Sequence, residues 1–98
     1  MTVLLIRKAE VELEEAFDHY RTILPELGDR LLIQFRRGVD QILRYPLGWQ
    51  QVDDTYRRYR LRRFPYGIVY RVDSVQQQII VVCFMHLSRK PGVWRDRE

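Results

Sequence analysis

Residues 57–86 read RRYRLRRFPYGIVYRVDSVQQQIIVVCFMH. Two short links punctuate this stretch, one around Pro65 and one in the turn DSVQQQ. Links this short reverse the chain and leave neighbouring strands antiparallel. The predicted strands run over 56–64, 67–73 and 78–86. In the first, Tyr59 and Leu61 point to one face while Arg58, Arg60 and Arg62 point to the other. Same-face neighbours on a strand stand roughly 6–7 Å apart, so the three arginines are expected to form a basic ladder. Arg63 falls on the apolar side, where the strand is ending. The last strand, IIVVCFMH, is apolar on both faces, which is the pattern of a strand covered on both sides.

The chain before this stretch is helical. TVLLIR at the N-terminus is a short strand candidate. From Ala9 the apolar residues Leu13, Ala16, Phe17, Tyr20 and Leu24 recur at spacings of three and four. Glu10, Glu12, Glu14, Glu15 and Asp18 occupy the positions between them, with acids early, where the helix dipole favours them. Pro25 and Gly28 in LPELGD mark the break. A second helix is predicted over 28–45, with Leu31, Leu32, Phe35, Val39, Ile42 and Leu43 inward. Gly38 shares that side, and a mid-helix glycine costs about 1 kcal/mol against alanine, so it points to close approach by a neighbour. YPLGWQQVDD reads as a loop.

The resulting fold class is α+β. It has an N-terminal strand, an αα-hairpin and a three-stranded antiparallel meander, making one small sheet with the helices packed on one face. Ninety-eight residues suit a single domain over 1–98. Two helices cover only one face of such a sheet. The other face of the last strand needs the C-terminal tail or another protein, and a partner is the favoured cover.

Composition narrows the class. The chain is 46% hydrophobic with one cysteine, Cys83, inside the apolar strand. That thiol is expected to be a small core hydrophobe. No apolar run approaches the roughly 18–20 residues that span a bilayer, and VLLI is too short for a signal-peptide core. A soluble cytoplasmic protein without membrane contact is expected. Residues 1–56 hold 7 Lys/Arg against 10 Asp/Glu, whereas residues 57–98 hold 10 against 3. The overall charge of +4 thus hides a strongly basic C-terminal part, which leans toward a polyanionic or acidic partner.

Beyond the last strand lies HLSRKPGVWRDRE, which gathers His86, Arg89, Lys90, Trp94, Arg95 and Arg97. Imidazole can move a proton near neutral pH, and guanidinium can stabilise the charge of a phosphoryl transition state. His19 and His86 are far apart with no suitably spaced ligands, so no metal site is expected, and no cofactor motif is present.

AEVELEEAFDHY, the RRFPYGIVYRV block and VVCFMHLSRKPGVWRDR together resemble the RelE/ParE superfamily of toxins from bacterial type II toxin–antitoxin modules. The resemblance covers nearly the whole chain in the expected order. It implies a compact toxin neutralised in a hetero-oligomer by a cognate antitoxin, whose segment could offer acids to Arg58, Arg60 and Arg62. It leaves two targets open. RelE-like members cut mRNA on the ribosome; ParE-like members inhibit DNA gyrase.

The preferred expectation is a ribosome-dependent mRNA endonuclease, in which a ribose 2′-hydroxyl attacks the adjacent phosphate. By resemblance its catalytic residues would be His86, Arg89 and Arg62. Arg58, Arg60, Lys90, Trp94 and Arg95 would bind. Trp94 stands where RelE has a tyrosine, and an indole can stack on a base but cannot exchange a proton. The alternative is a ParE-type gyrase inhibitor that needs no acid or base and uses Trp94 and the arginines as contact anchors.

Overall fold

The structure, a computed structural model, describes residues 1–98. Strand β1 covers Thr2–Leu5, helix α1 Arg7–Ile23 and helix α2 Pro25–Arg44. Strands β2, β3, β4 and β5 cover Gln50–Gln51, Arg57–Arg60, Tyr66–Asp73 and Gln78–His86. They form a five-stranded sheet in the order β1-β5-β4-β3-β2. β1 runs parallel to β5, and every other neighbouring pair is antiparallel. No helix is long and apolar enough to cross a membrane.

The α+β class holds, but the sheet is larger than the expected meander. β3, β4 and β5 are its centre. The N-terminal strand adds a parallel edge from Thr2↔Gln78 to Leu5↔Val81. Gln50 and Gln51, expected in a loop, pair with Arg58 and Arg57. That segment is tied down by its own side chains. Trp49 Nε1 donates to the Gln41 carbonyl at 3.1 Å, the Tyr70 hydroxyl donates to the Pro46 carbonyl at 2.7 Å, and Arg57 donates to the Trp49 carbonyl at 2.9 Å.

The helix hairpin is also tighter than expected. Pro25 occupies the first position of α2, where its missing N–H costs nothing, so Leu24 alone joins the helices. Gly28 lies inside α2 and is buried. A Cβ there would stand 3.1 Å from both Phe17 Cε1 and Arg21 Cβ, so this glycine lets α1 approach α2 closely.

β3 stops at Arg60, four residues short of the expected end. Arg63 has φ +68°, a left-handed conformation that an extended strand cannot contain. The Leu61 N–H instead bonds to the Tyr66 carbonyl at 2.9 Å, closing a turn that drops Leu61 and Phe64 into the core.

β5 carries the largest departure from simple alternation. The register with β4 runs Val69↔Cys83 and then Tyr70↔Val81, which leaves Val82 as an extra residue. Ile79, Val81 and Phe84 therefore face the helices, where they join Ala9, Leu31, Phe35, Ile42, Ile68 and Tyr70. Ile80, Val82, Cys83 and Met85 face away and join Val69 in a second core. The cover of that second core is Trp94, only 2% exposed, with Val93, Val52 and Tyr56 beside it. The expectation that a partner covers this face is thus corrected: the C-terminal tail covers it. The central interior is wholly apolar, with no buried polar or charged residue.

Gly38 behaves as its position predicts. A Cβ there would lie 2.8 Å from Tyr59 Cε1 and 2.9 Å from Ile68 Cδ1, at the closest approach of α2 to the sheet. Alanine would gain about 1 kcal/mol of helix propensity. Overpacking a tight core costs typically 1–3 kcal/mol, and two fixed ring and branch atoms leave little room to yield. Gly38→Ala is therefore expected to lower the urea midpoint by roughly 1–2 kcal/mol of stability, with an unchanged m-value.

Candidate functional site

Glu12 sits on α1 three residues after buried Ala9 and four before buried Ala16, so the helix turns its carboxylate toward β5. There it meets the C-terminal tail. Glu12 Oε1 accepts from Arg97 Nη1 at 2.7 Å and from the Phe84 N–H at 3.1 Å. Oε2 accepts from Arg97 Nη2 at 3.0 Å and Arg89 Nη1 at 2.8 Å. Arg97 also donates from Nε to the Val93 carbonyl and from Nη1 to the Val82 carbonyl. Its side chain is only 9% exposed. Burial raises the Glu12 carboxyl's pKa, but the hydrogen bonds and charge of Arg97, the Phe84 N–H and Arg89 outweigh it and hold the group below its ordinary 4.5.

Two further fastenings hold the tail. Trp94 Nε1 donates to Asp53 Oδ2 at 2.9 Å, while Asp53 Oδ1 accepts the N–H groups of Thr55 and Tyr56. Glu98 accepts from Arg71 at 2.9 Å and from the Tyr56 hydroxyl at 2.6 Å. The hydrogen bond to Glu98, with some burial, pushes the Tyr56 phenol up to about 12. Truncating a buried tryptophan typically costs about 3–5 kcal/mol, so this tail is part of the folded structure and not a loose flap. Cys83 lies beneath it, fully buried, and burial pushes its thiol up to about 12. As expected from the sequence, it is a core residue.

The expected catalytic set does not assemble. His86 ends β5 and shares a cleft with Glu12, Glu15, Tyr66 and Arg89. Its Nδ1 accepts from the Ser88 N–H at 3.1 Å and contacts the Ser88 hydroxyl at 2.8 Å. A backbone N–H can only donate, so Nδ1 is the ring's acceptor toward Ser88. Arg89, the one arginine of this cleft, is already bonded to Glu12. Two carboxylates against that one guanidinium make a poor seat for a phosphate. Arg62 is elsewhere, lining a different cleft beside α2.

The expected binding set also divides. Arg58 lays its stem over Gly67, with Nη2 donating to Gln50 at 3.2 Å. Arg60 and Arg62 turn to the α2 side, so the three arginines do not form one ladder. β2 pairs with β3 only at Arg57 and Arg58, so Arg60 has no cross-strand neighbour on the outer edge. Trp94 is buried and cannot stack on a base or anchor a partner from this position. Lys90 and Arg95 are exposed, and Arg95 lies 3.8 Å from Asp53.

What the molecule does present is a cleft of about 540 Å³ between α2 and the β3 edge. Its walls carry Arg37 and Arg44 from α2 and Arg60 and Arg62 from the β3 side, with Trp49 and Tyr59 at its base. A neighbouring cleft shares Gln34 and Arg37 with it but is half apolar, through Tyr20, Leu27, Ile33 and Phe64. No group of His, Cys, Asp and Glu could hold a metal ion.

The family model described as "ParE toxin of type II toxin-antitoxin system, parDE" matches residues 3–91. The chain belongs to the ParE toxin family. Among solved structures, this ParE-family chain is similar to one titled "Chromosomal ParDE TA system from P. aeruginosa", with a TM-score of 0.74 and 21% identity. The likeness covers 88% of this chain and 95% of that one, and at this identity it shows the shared fold. No curated protein matches the chain. Membership of a toxin–antitoxin family implies an antitoxin as partner.

Because Glu12 has a lowered pKa in the fold, its contribution to stability is complete above 4.5 and is lost as pH falls through the lower folded value. Glu12→Gln leaves Arg97 buried without a counter-charge and should cost roughly 3 kcal/mol near neutral pH, the low end for a broken buried pair because Arg89 can turn to water. Thermal midpoints of the two proteins should converge as pH is lowered below 4.5. The Cys83 thiol should resist iodoacetamide at pH 8 in the folded protein and react in urea, which mass spectrometry can follow.

Proposed function

We propose that this ParE-family chain is a toxin that acts by binding DNA gyrase, without hydrolytic chemistry of its own, and that a cognate antitoxin neutralises it in a hetero-oligomer. The observation that carries this reading is the separation of the nuclease residues. Cleavage through a 2′-hydroxyl needs a proton acceptor, a donor to the leaving oxygen and cationic stabilisation within hydrogen-bond reach of one phosphate. His86 and Arg89 share one cleft, where Arg89 is bonded to Glu12, and Arg62 lies in another. An inhibitor that binds a protein needs none of these to converge. It needs a rigid surface, and the fastened tail together with the arginine-lined α2–β3 side supports one. The family description, which names the parDE system, points the same way.

The half-apolar cleft lined by Leu27, Ile33 and Phe64 with Arg30, Arg37 and Arg63 suits an antitoxin segment that is apolar on one side and acidic on the other. Such a segment would gain most of its order on binding.

Purified toxin added to a gyrase supercoiling reaction is expected to block supercoiling. In a cell-free translation reaction, mapped mRNA 5′ ends should be those of the untreated control. Codon-phased cuts with normal supercoiling would overturn the reading in favour of the endonuclease. His86→Ala should arrest growth as fully as the parent protein when expressed without antitoxin, whereas a nuclease dependent on His86 would lose its toxicity.

A further inference from the structure

The cleft between α2 and β3 gathers arginines from two separate elements. Its four arginines, Arg37, Arg44, Arg60 and Arg62, are all exposed, and none makes a salt bridge within 4.0 Å. Elsewhere Arg71, Arg89 and Arg97 are each bonded to a carboxylate. Asp40 is the one acid lining the cleft. Like charges gathered from two separate elements repel one another, and Asp40, between Arg37 and Arg44 on α2, is a single carboxylate against four guanidinium groups. Arg37 and Arg44 lie two turns apart on the same side of α2, about 10 Å along its axis. Arg60 and Arg62 line the opposite wall. The turn that carries Arg62 contains Arg63 at φ +68°, a left-handed conformation uncommon for a non-glycine residue.

The geometry points to a binding site for the sugar-phosphate backbone of nucleic acid, held between these two arginine rows. Guanidinium forks match phosphate oxygens in pairs, and two facing rows can follow a chain of evenly spaced anions. The lining favours this ligand over an acidic protein segment. Only Trp49 and Tyr59 are apolar there, and Tyr59 is 8% exposed, so a peptide would find no pocket for its anchoring side chains. Those pockets lie in the adjoining cleft, at Leu27, Ile33 and Phe64. Gln34 and Arg37 belong to both clefts, so nucleic acid and a protein segment bound next door would contend for them. The proposal goes beyond the gyrase reading and uses the same α2–β3 side: backbone binding concerns the free toxin, and nucleic acid held there would contend with a protein target for these arginines.

Fluorescence anisotropy of the full-length toxin with a short labelled DNA duplex, and separately with a single-stranded RNA, tests it across a salt series. Saturable binding that weakens with salt is expected in at least one arm, and the tighter arm names the form of nucleic acid preferred. Arg44→Gln, Arg60→Gln and Arg62→Gln together should weaken binding by tenfold or more and make the log K against log salt slope shallower by about 3, from roughly 0.9 per lost phosphate contact on duplex. A charge-matched control, Arg7→Gln, Lys8→Gln and Arg21→Gln, removes three cations outside the cleft and should leave the slope within about 1 of the parent. Circular dichroism and thermal midpoints verify that both variants fold. Absence of binding at low salt, or equal losses in the two variants, would overturn the site. A polyglutamate peptide that displaces the nucleic acid as well as an equal concentration of unlabelled strand would overturn the choice of phosphodiester.

Discussion

Glu12 is the one carboxylate that α1, β5 and the C-terminal tail all depend on. Its oxygens take two bonds from Arg97, one from Arg89 and one from the Phe84 N–H beside the β-bulge. A carboxylate taken largely out of water is costly unless its lone pairs are filled and its charge matched, and here both conditions are met by residues remote in sequence. The arrangement explains why the tail lies where it does. With Arg97 held at Glu12, Trp94 and Val93 must lie across the face of the sheet that the helices do not reach. The second core then closes without any partner.

Much of the fold is legible from periodicity. The bounds of β4 and β5, the inward side of both helices and the close approach at Gly38 follow from spacing and residue type. What is not legible is decided by long-range pairing. Thr2–Leu5 finds a parallel partner in β5 across the length of the chain, and nothing local specifies a parallel edge. Pro25 and Gly28 read as a break because both residues interrupt helices in isolation. In the folded chain one starts α2 and the other serves its packing on α1.

The candidate site was less legible for a related reason. Counting arginines identifies a basic stretch but not the side to which each one turns. Arg58, Arg60 and Arg62 alternate on paper; the end of β3 and the left-handed Arg63 send them apart. Trp94 resembles a contact residue because a tail is usually exposed, yet β5, apolar on both faces, already required a large apolar cover. Glu12 was readable in principle. Its offsets from Ala9 and Ala16 place a lone acid on the buried side of α1, and such a residue demands a cationic partner.

The junction of Glu12 with Arg97 also bears on the order in which the molecule comes into being. Residues 1–44 can form both helices while the rest of the chain is still being synthesised, since helical contacts are local. β1 cannot pair until β5 exists, and Glu12 waits for Arg89 and Arg97. Throughout that interval the helix hairpin, with its cleft-lining arginines of α2, is present without the sheet that completes either cleft. Both clefts are complete only once the sheet has formed, and the second core only once the tail lies over β5.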